Sequence, residues 1–262
     1  MSLEALLPDT PAVAALPPPL AARTGTARLR PCLVVMQPTF FPWAGYFNLM
    51  AQADDFVFLD DVQLEKQSWQ TRNRLALNGQ PHWITVPVRH THLAQTIAET
   101  EVMDKTPWRA KLARSFGMNY ARHPHGADAR EIVDFLLAEP ASRLAALNEA
   151  VIRYVAQRLG LTARLHRASA LGGEGLRSDR LIALCRLLAA GEYLSPRGSA
   201  DYLAEDRFAE RAPAALRFQE FQPQPYPQKG AAEPIACLSI VDVVANLGWH
   251  GARRYVEEGV AP

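Results

Sequence analysis

The chain predicts an α/β fold with a Rossmann-like parallel-sheet core, an added hairpin and a mainly helical second half. Three observations carry this prediction. Two short apolar runs, residues 33–36 and 56–59, enclose a compact helical stretch, together about 30 residues, the size of one βαβ unit. An Asn-Gly pair at 78–79 stands between alternating segments, the strongest two-residue hairpin signal. Beyond residue 106, apolar side chains recur at every third or fourth position, the helical period.

Composition narrows the class. The length, 262 residues, suits one large domain or two small ones. Hydrophobic residues make up 48% and charged residues 21%, an ordinary globular balance. Lys and Arg number 28 against 27 acids, a net charge of +1, which speaks against a dominant nucleic-acid surface. No apolar run reaches the roughly 18 residues of a membrane-spanning helix. The three cysteines, Cys32, Cys185 and Cys237, are odd in number and widely spaced. They suggest neither a disulfide framework nor a CxxC metal knuckle, and a reducing cytoplasm is the expected setting. Residues 1–31 hold six of the 20 prolines and read as a disordered Pro/Ala-rich extension. Glu4 and Asp9 stand where a secretory signal carries basic residues. Residues 32–256 are expected to form a single domain, with a helical subdomain over 104–190.

The elements follow in order. Residues 33–36 read as a buried strand ended by Pro38, and 45–53 as a short helix carrying Phe47, Leu49 and Met50. Residues 56–59 form a second strand ended by Asp60 and Asp61, parallel to the first through a right-handed crossover. Residues 73–77 and 82–88 pair across Asn78-Gly79, with Pro87 placing the end of the second strand at an edge. Thr106 and Pro107 open a helix with Trp108, Leu112, Phe116 and Tyr120 on one stripe. Leu144, Leu147, Val151, Val155 and Leu159 mark another, stopped by Gly160. Leu181, Leu184, Cys185 and Leu188 mark a third, capped by Ser178 and ended by Gly191. Residues 163–165, 193–194 and 216–218 fit further strands. A last helix starts at Ser239, with Asp242 in the acidic place of a capping box.

The densest polar and aromatic cluster runs from Gln37 to Arg74. In open α/β sheets, ligands bind beyond the carboxyl ends of the strands. Gln37, Trp43 and Tyr46 fall at one such end, and Asp60, Asp61 and Gln63 at the next. The helix start near Gly45 suits an anion. Asp60 and Asp61 are adjacent, so an extended chain turns their side chains opposite ways and one faces the crevice. Lys66, Arg72 and Arg74, with Asn73 between the arginines, form a local basic stretch suited to phosphate or carboxylate. Two His-x-His pairs, His90/His92 and His123/His125, lack the further ligands that a zinc site needs, so no metal is expected. No GxSxG elbow or Walker lysine loop occurs, and 172–175 is Gly-rich without matching GxGxxG.

The segment MQPTFFPWAGYFNLMAQADDFVFLDDVQLEKQSWQTRNRL resembles the opening signature of the WbqC-like family. The resemblance continues through WITVPV, YLSPRGSADYL, the YPQ of Tyr226 to Gln228, and LSIVDVVANLG, over about residues 33 to 250. Pro196 departs from the glycine that the pattern has after Tyr-Leu-Ser. The matched polar residues are Gln37, Trp43, Tyr46, Asp60, Asp61, Gln63, Lys66, Arg72, Asn73, Asp201, Tyr202, Gln228 and Asp242. The resemblance implies a biosynthetic transferase of surface-polysaccharide (O-antigen) or specialised-metabolite assembly, with aminoacyl transfer such as glycyl suggested for some members. A fainter likeness, to the strand–loop–helix start of nucleotidylyltransferases, places Trp43 and Tyr46 where the two histidines of HxGH would stand. Losing both imidazoles argues against adenylylation.

The expected activity is therefore acyl or aminoacyl transfer to a small-molecule acceptor, an amine or amino sugar, from a carrier protein or another activated acyl donor, with no cofactor. Such a step needs a base and oxyanion donors. Asp60 or Asp61 is the expected base or amine orienter, and Lys66 and Arg72 are expected to hold phosphate or carboxylate. Gln37 and Asn73 would orient carbonyls, and Trp43 and Tyr46 would wall the pocket. The alternative is a nucleotide or nucleotide-sugar binding protein, or a nucleotidylyltransferase-like enzyme without the HxGH histidines.

Overall fold

A computed structural model describes residues 31–261. The expected extension lies outside these residues except for Pro31, whose carbonyl accepts from the Gly191 and Glu192 amides. The fold is α/β and Rossmann-like. The predicted βαβ unit is β1 (Cys32–Met36), α1 (Ala44–Gln52) and β2 (Asp55–Phe58), with Val34 opposite Phe56 in parallel register. The hairpin is β3 (Arg72–Leu77) and β4 (Gln80–Thr85), antiparallel. Its turn residues Asn78 and Gly79 sit at φ 51° and 70°, the left-handed pair that Asn-Gly accepts.

The strand expected to reach Val88 ends at Thr85. Pro87 has no N–H for the ladder, and Val88 begins a separate small pair, β5 (Val88–Arg89) with β6 (Glu101–Val102). Three helices follow: α2 (Trp108–Tyr120), α3 (Gly126–Ala138) and α4 (Leu144–Arg158). α2 buries the predicted stripe, but Pro107 holds its cap position while the Thr106 hydroxyl donates to the Met103 carbonyl. α3 has no counterpart among the sequence expectations.

The remaining strands and α-helices are β7 (Arg164–Arg167), α5 (Ala168–Leu171), α6 (Arg177–Leu187), β8 (Glu192–Ser195), α7 (Ala200–Glu205), α8 (Phe208–Arg211), β9 (Ala215–Phe218) and α9 (Ile240–Glu258). Ser178 lies inside the first turn of α6 and Leu176 at its cap. Ala189, at φ 48°, takes the left-handed position after α6 that was expected of Gly191. Ser239 does cap α9, its hydroxyl accepting from the Val241 amide. Asp242 does not close a capping box, because its carboxylate accepts from the Tyr120 and Tyr226 hydroxyls instead.

Five strands form one parallel sheet in the order β7-β2-β1-β8-β9. Alternation along the strands feeds two cores. Val34, Phe56 and Phe58 enter the larger one with α1, α4 and α9. Leu33, Val35 and Val57 enter the other with α6 and the Phe208 side of α8. Helices thus cover both faces, as a parallel sheet requires. The order reverses between β1 and β8, the point where such sheets open a crevice at their carboxyl ends. Among the described residues no helix is long and apolar enough to cross a membrane.

Candidate active site

The loop between β1 and α1 builds one wall of a small cavity. Phe41 is held at φ 44°, a strained value for an aromatic residue, and something must hold it there. Asn73, buried on β3, does so by donating its amide to the Phe40 and Phe41 carbonyls at 3.1 and 2.8 Å. Trp43 then lies at the cap of α1 with its indole over Gly45, where an added Cβ would meet the ring at 2.2 Å. The cavity, about 270 Å³, is lined by Met36, Thr39, Pro42, Trp43, Tyr46, Trp69, Asn73 and Cys237. That is near the lower limit of small-molecule pockets and suits one compact group.

A charged cluster adjoins it through Tyr46. The Tyr46 ring lines the cavity and its hydroxyl donates to the Gln37 carbonyl at 3.2 Å. Burial, with the Glu149 charge adding to it, raises the Tyr46 pKa well above the usual phenol value, so the hydroxyl stays protonated. Glu149, on α4, is 1% exposed. Arg167 Nε, at the carboxyl end of β7, donates to Glu149 Oε2 at 2.6 Å, and Arg153 approaches the same oxygen at 3.8 Å. Glu149 Oε1 is buried and accepts from nothing among the described residues. Burial pushes this carboxyl above the usual glutamate range, against the pull of Arg167 and Arg153 and with Asp60 adding to the push. Arg153 lies over the Phe58 ring, 5.2 Å from its centroid. Gln70 donates to Gln37 Oε1 at 2.9 Å, and Asn148 bonds the Pro38 and Gln70 carbonyls, leaving its own Oδ1 buried and unbonded.

The sequence-predicted residues divide into groups. Gln37, Trp43, Tyr46 and Asn73 come together at the cavity or its polar edge. Asp60 is buried, and both its oxygens accept from Ser169, the amide at 3.0 Å and the hydroxyl at 2.6 Å. Asp61 pairs with Arg180, which also holds the Gly172, Gly173 and Ala168 carbonyls. The two acids therefore fasten the segment after β7 onto the end of β2. Arg72 stacks over Trp83, 4.2 Å from the ring centroid, on the outer face of the hairpin. Gln63 donates to the Leu93 carbonyl at 2.6 Å, and with Lys66, His90 and His92 it lines a separate groove.

Other residues sit apart from the cavity lining. Asp201 and Tyr202 lie on α7, where Tyr202 packs into the second core. Gln228 closes its own loop through both backbone groups of Ile235. Asp242 is buried among Tyr120, Tyr226 and Asn246. The helix start near Gly45 presents the Trp43 ring. No group of three or more His, Cys, Asp or Glu side chains placed to hold a metal occurs among the described residues. Glu149, Arg153, Arg167 and Asn148 were missed by sequence reasoning. The available signal was an Asn-Glu pair interrupting the apolar stripe between Leu147 and Val151.

The sequence model of the WbqC-like protein family matches residues 37–254, from Gln37 on the cavity's polar edge to the last turns of α9. The chain belongs to the WbqC-like protein family. This WbqC-like protein is 33% identical over 222 residues to the uncharacterized protein Rv1507c of Mycobacterium tuberculosis, covering 82% of this chain and 94% of that one. No solved structure matches it.

Chemically, the arrangement offers a buried carboxylate with one unbonded oxygen, two guanidinium groups beside it, and a tyrosine whose ring lines an aromatic-walled cavity. A desolvated carboxylate of raised pKa holds a proton more readily than an exposed one, which suits it to proton exchange with a substrate.

Proposed function

We propose that this WbqC-like protein is a cytoplasmic biosynthetic transferase. It moves an acyl or aminoacyl group, such as glycyl, from an activated donor to an amine or hydroxyl, forming an amide or ester in surface-polysaccharide or specialised-metabolite assembly. Residues 32–256 are taken as the unit that carries the activity. The observation behind this reading is Glu149: buried, raised in pKa, one oxygen held by Arg167 and the other unbonded, at the carboxyl ends of parallel strands.

Acceptor nitrogen or oxygen attacks the donor carbonyl while Glu149 Oε1 removes the acceptor proton. Arg167 and Arg153 keep the carboxylate oriented and add positive charge near the developing oxyanion. The leaving thiol or other activating group then departs with a proton. Trp43, Tyr46 and Trp69 enclose the transferred group. Asp60 and Asp61 act as positioning residues, since Ser169 and Arg180 already engage them.

The test is mass spectrometry of the purified protein with aminoacyl N-acetylcysteamine thioesters and a panel of amino sugars and their nucleotide-linked forms. The expected product is acceptor plus one acyl residue. A second reading, nucleotide chemistry, has one favouring observation, the strand-order reversal between β1 and β8. Release of pyrophosphate from nucleoside triphosphates with Mg²⁺, without acyl transfer, would replace the first reading with this one.

A further inference from the structure

The outer face of the β3–β4 hairpin is unlike an ordinary protein surface. Asn73, Leu75 and Ile84 turn inward and are buried. Arg74 pairs across the ladder with Trp83, and Arg72 with Thr85, so these four share the outer face. Trp83 is 47% exposed, and Trp69, from the preceding loop, is 48% exposed. Their ring centroids are 5.2 Å apart. Arg74 lies 6.0 and 5.9 Å from the two rings. Two neighbouring tryptophans left half in water lose burial that the core would give them, which marks a contact surface.

Charge narrows what it contacts. The Arg72 guanidinium makes no hydrogen bond or ion pair among the described residues, and its Nε is buried and unbonded. Arg74 Nε is buried and unbonded too, although its Nη2 donates to the Ala236 carbonyl at 3.1 Å. Trp83 also lines a groove of about 540 Å³ between β4 and α2, with His82, Lys111, Ser115 and Trp108. No acidic residue lines that groove or the smaller cavity. Trp69 lines the smaller cavity, so the tryptophan pair forms the ridge between the two.

We propose that this face binds a nucleoside diphosphate, the handle of a nucleotide-linked substrate. The base stacks on Trp83 or Trp69, and the diphosphate lies against Arg72, with Arg74 and Lys111 adding charge. A sugar linked to the diphosphate then reaches over the Trp69 ridge into the cavity. Binding at the hairpin stands on the geometry of these residues; delivery of the sugar for acylation rests on the transferase reading.

The experiment is isothermal titration of the full chain with UDP, dTDP, GDP and ADP, with pyrophosphate alone as a control, each with and without Mg²⁺. At least one nucleoside diphosphate is expected to bind more tightly than pyrophosphate. Trp83→Ala should weaken it about tenfold or more, the scale of one lost base–aromatic stack. Arg72→Met should weaken it comparably, while Trp83→Phe should recover part of the loss. Trp83 is exposed and Arg72 half-buried on the outer face, and unchanged thermal midpoints confirm that these variants fold. Glu149→Gln should bind nucleotide like the wild type even if turnover is lost, which separates this site from the transferase chemistry. Absence of binding by all four nucleotides, or equal affinity in Trp83→Ala and the wild type, overturns the proposal.

Discussion

Arg167 Nε donates to Glu149 Oε2 at 2.6 Å, while the second oxygen of Glu149, equally buried, accepts from nothing among the described residues. One oxygen is thus fixed and the other is left without a hydrogen-bond donor among the described residues. A purely structural ion pair gains most when both oxygens are satisfied.

The pH dependence follows from this pair. Burial raises the Glu149 pKa and the Arg167 bond opposes that rise. As a base, Glu149 works when ionised, so kcat/KM should rise with pH along a limb above the ordinary glutamate value of about 4.3. Removing the bond with Arg167→Met should move the limb to higher pH. Stability has the opposite sign, because ionising a carboxyl of raised pKa costs the folded state. That contribution is lost as pH rises from the unfolded glutamate range through the folded value. A pH–rate profile unchanged in Arg167→Met would assign Glu149 a structural role.

The cavity should respond to a single methyl group. Gly45→Ala places a Cβ 2.2 Å from the Trp43 indole, and the ring must swing away. Trp43 is a cavity wall, so substrate KM is expected to rise severalfold with a modest change in thermal midpoint. Steady-state kinetics read the KM, and calorimetry reads the midpoint.

Much of this region was legible in the sequence because its signals are local. The run at 33–36, the stop at Pro38 and the acid-ended run at 56–59 define the βαβ unit within one short window. Asn-Gly defined the hairpin turn for the same reason. Trp43, Tyr46 and Asn73 were expected at one site and do share one cavity. Glu149 and Arg167 were not legible as partners of that region. They lie more than 70 residues beyond the segment they serve, on elements whose crossover to β7 only the folded sheet reveals. α3 was missed although Ile132, Val133 and Leu136 are all buried along it, because Pro124 and Gly126 mask its start. Asp242 was read as a capping acid because sequence spacing cannot show that two tyrosines from other segments converge on it.

That convergence predicts a large stability effect. Asp242 accepts from Tyr120 at 2.6 Å and Tyr226 at 2.7 Å, with no exposure to solvent. Asp242→Ala strands two buried hydroxyls and should cost roughly 2–5 kcal/mol. Denaturant midpoints test this, and turnover per folded molecule should be retained.

Acid should weaken the β2–β7 edge. Burial pushes the Asp55 carboxyl up, but bonds from Arg164 (2.8 and 2.6 Å) and His166 (2.8 Å) outweigh it and leave it below the usual carboxylate range. Its folded pKa is depressed, so its stabilisation is full above the unfolded value of about 3.9 and is lost as pH falls through the folded one. Asp55→Asn should therefore destabilise at pH 7 and shrink the further loss on acidification, as urea titrations at the two pH values will read.

The most direct measurement is kcat/KM for amide formation from an aminoacyl N-acetylcysteamine thioester, wild type against Glu149→Gln. A general base is worth about 10²–10⁴ in rate. The predicted result is a loss on that scale per folded molecule, with nucleoside diphosphate binding unchanged. Equal rates in the two proteins would contradict the assignment of Glu149 as the proton acceptor, and with it the proposed transfer mechanism.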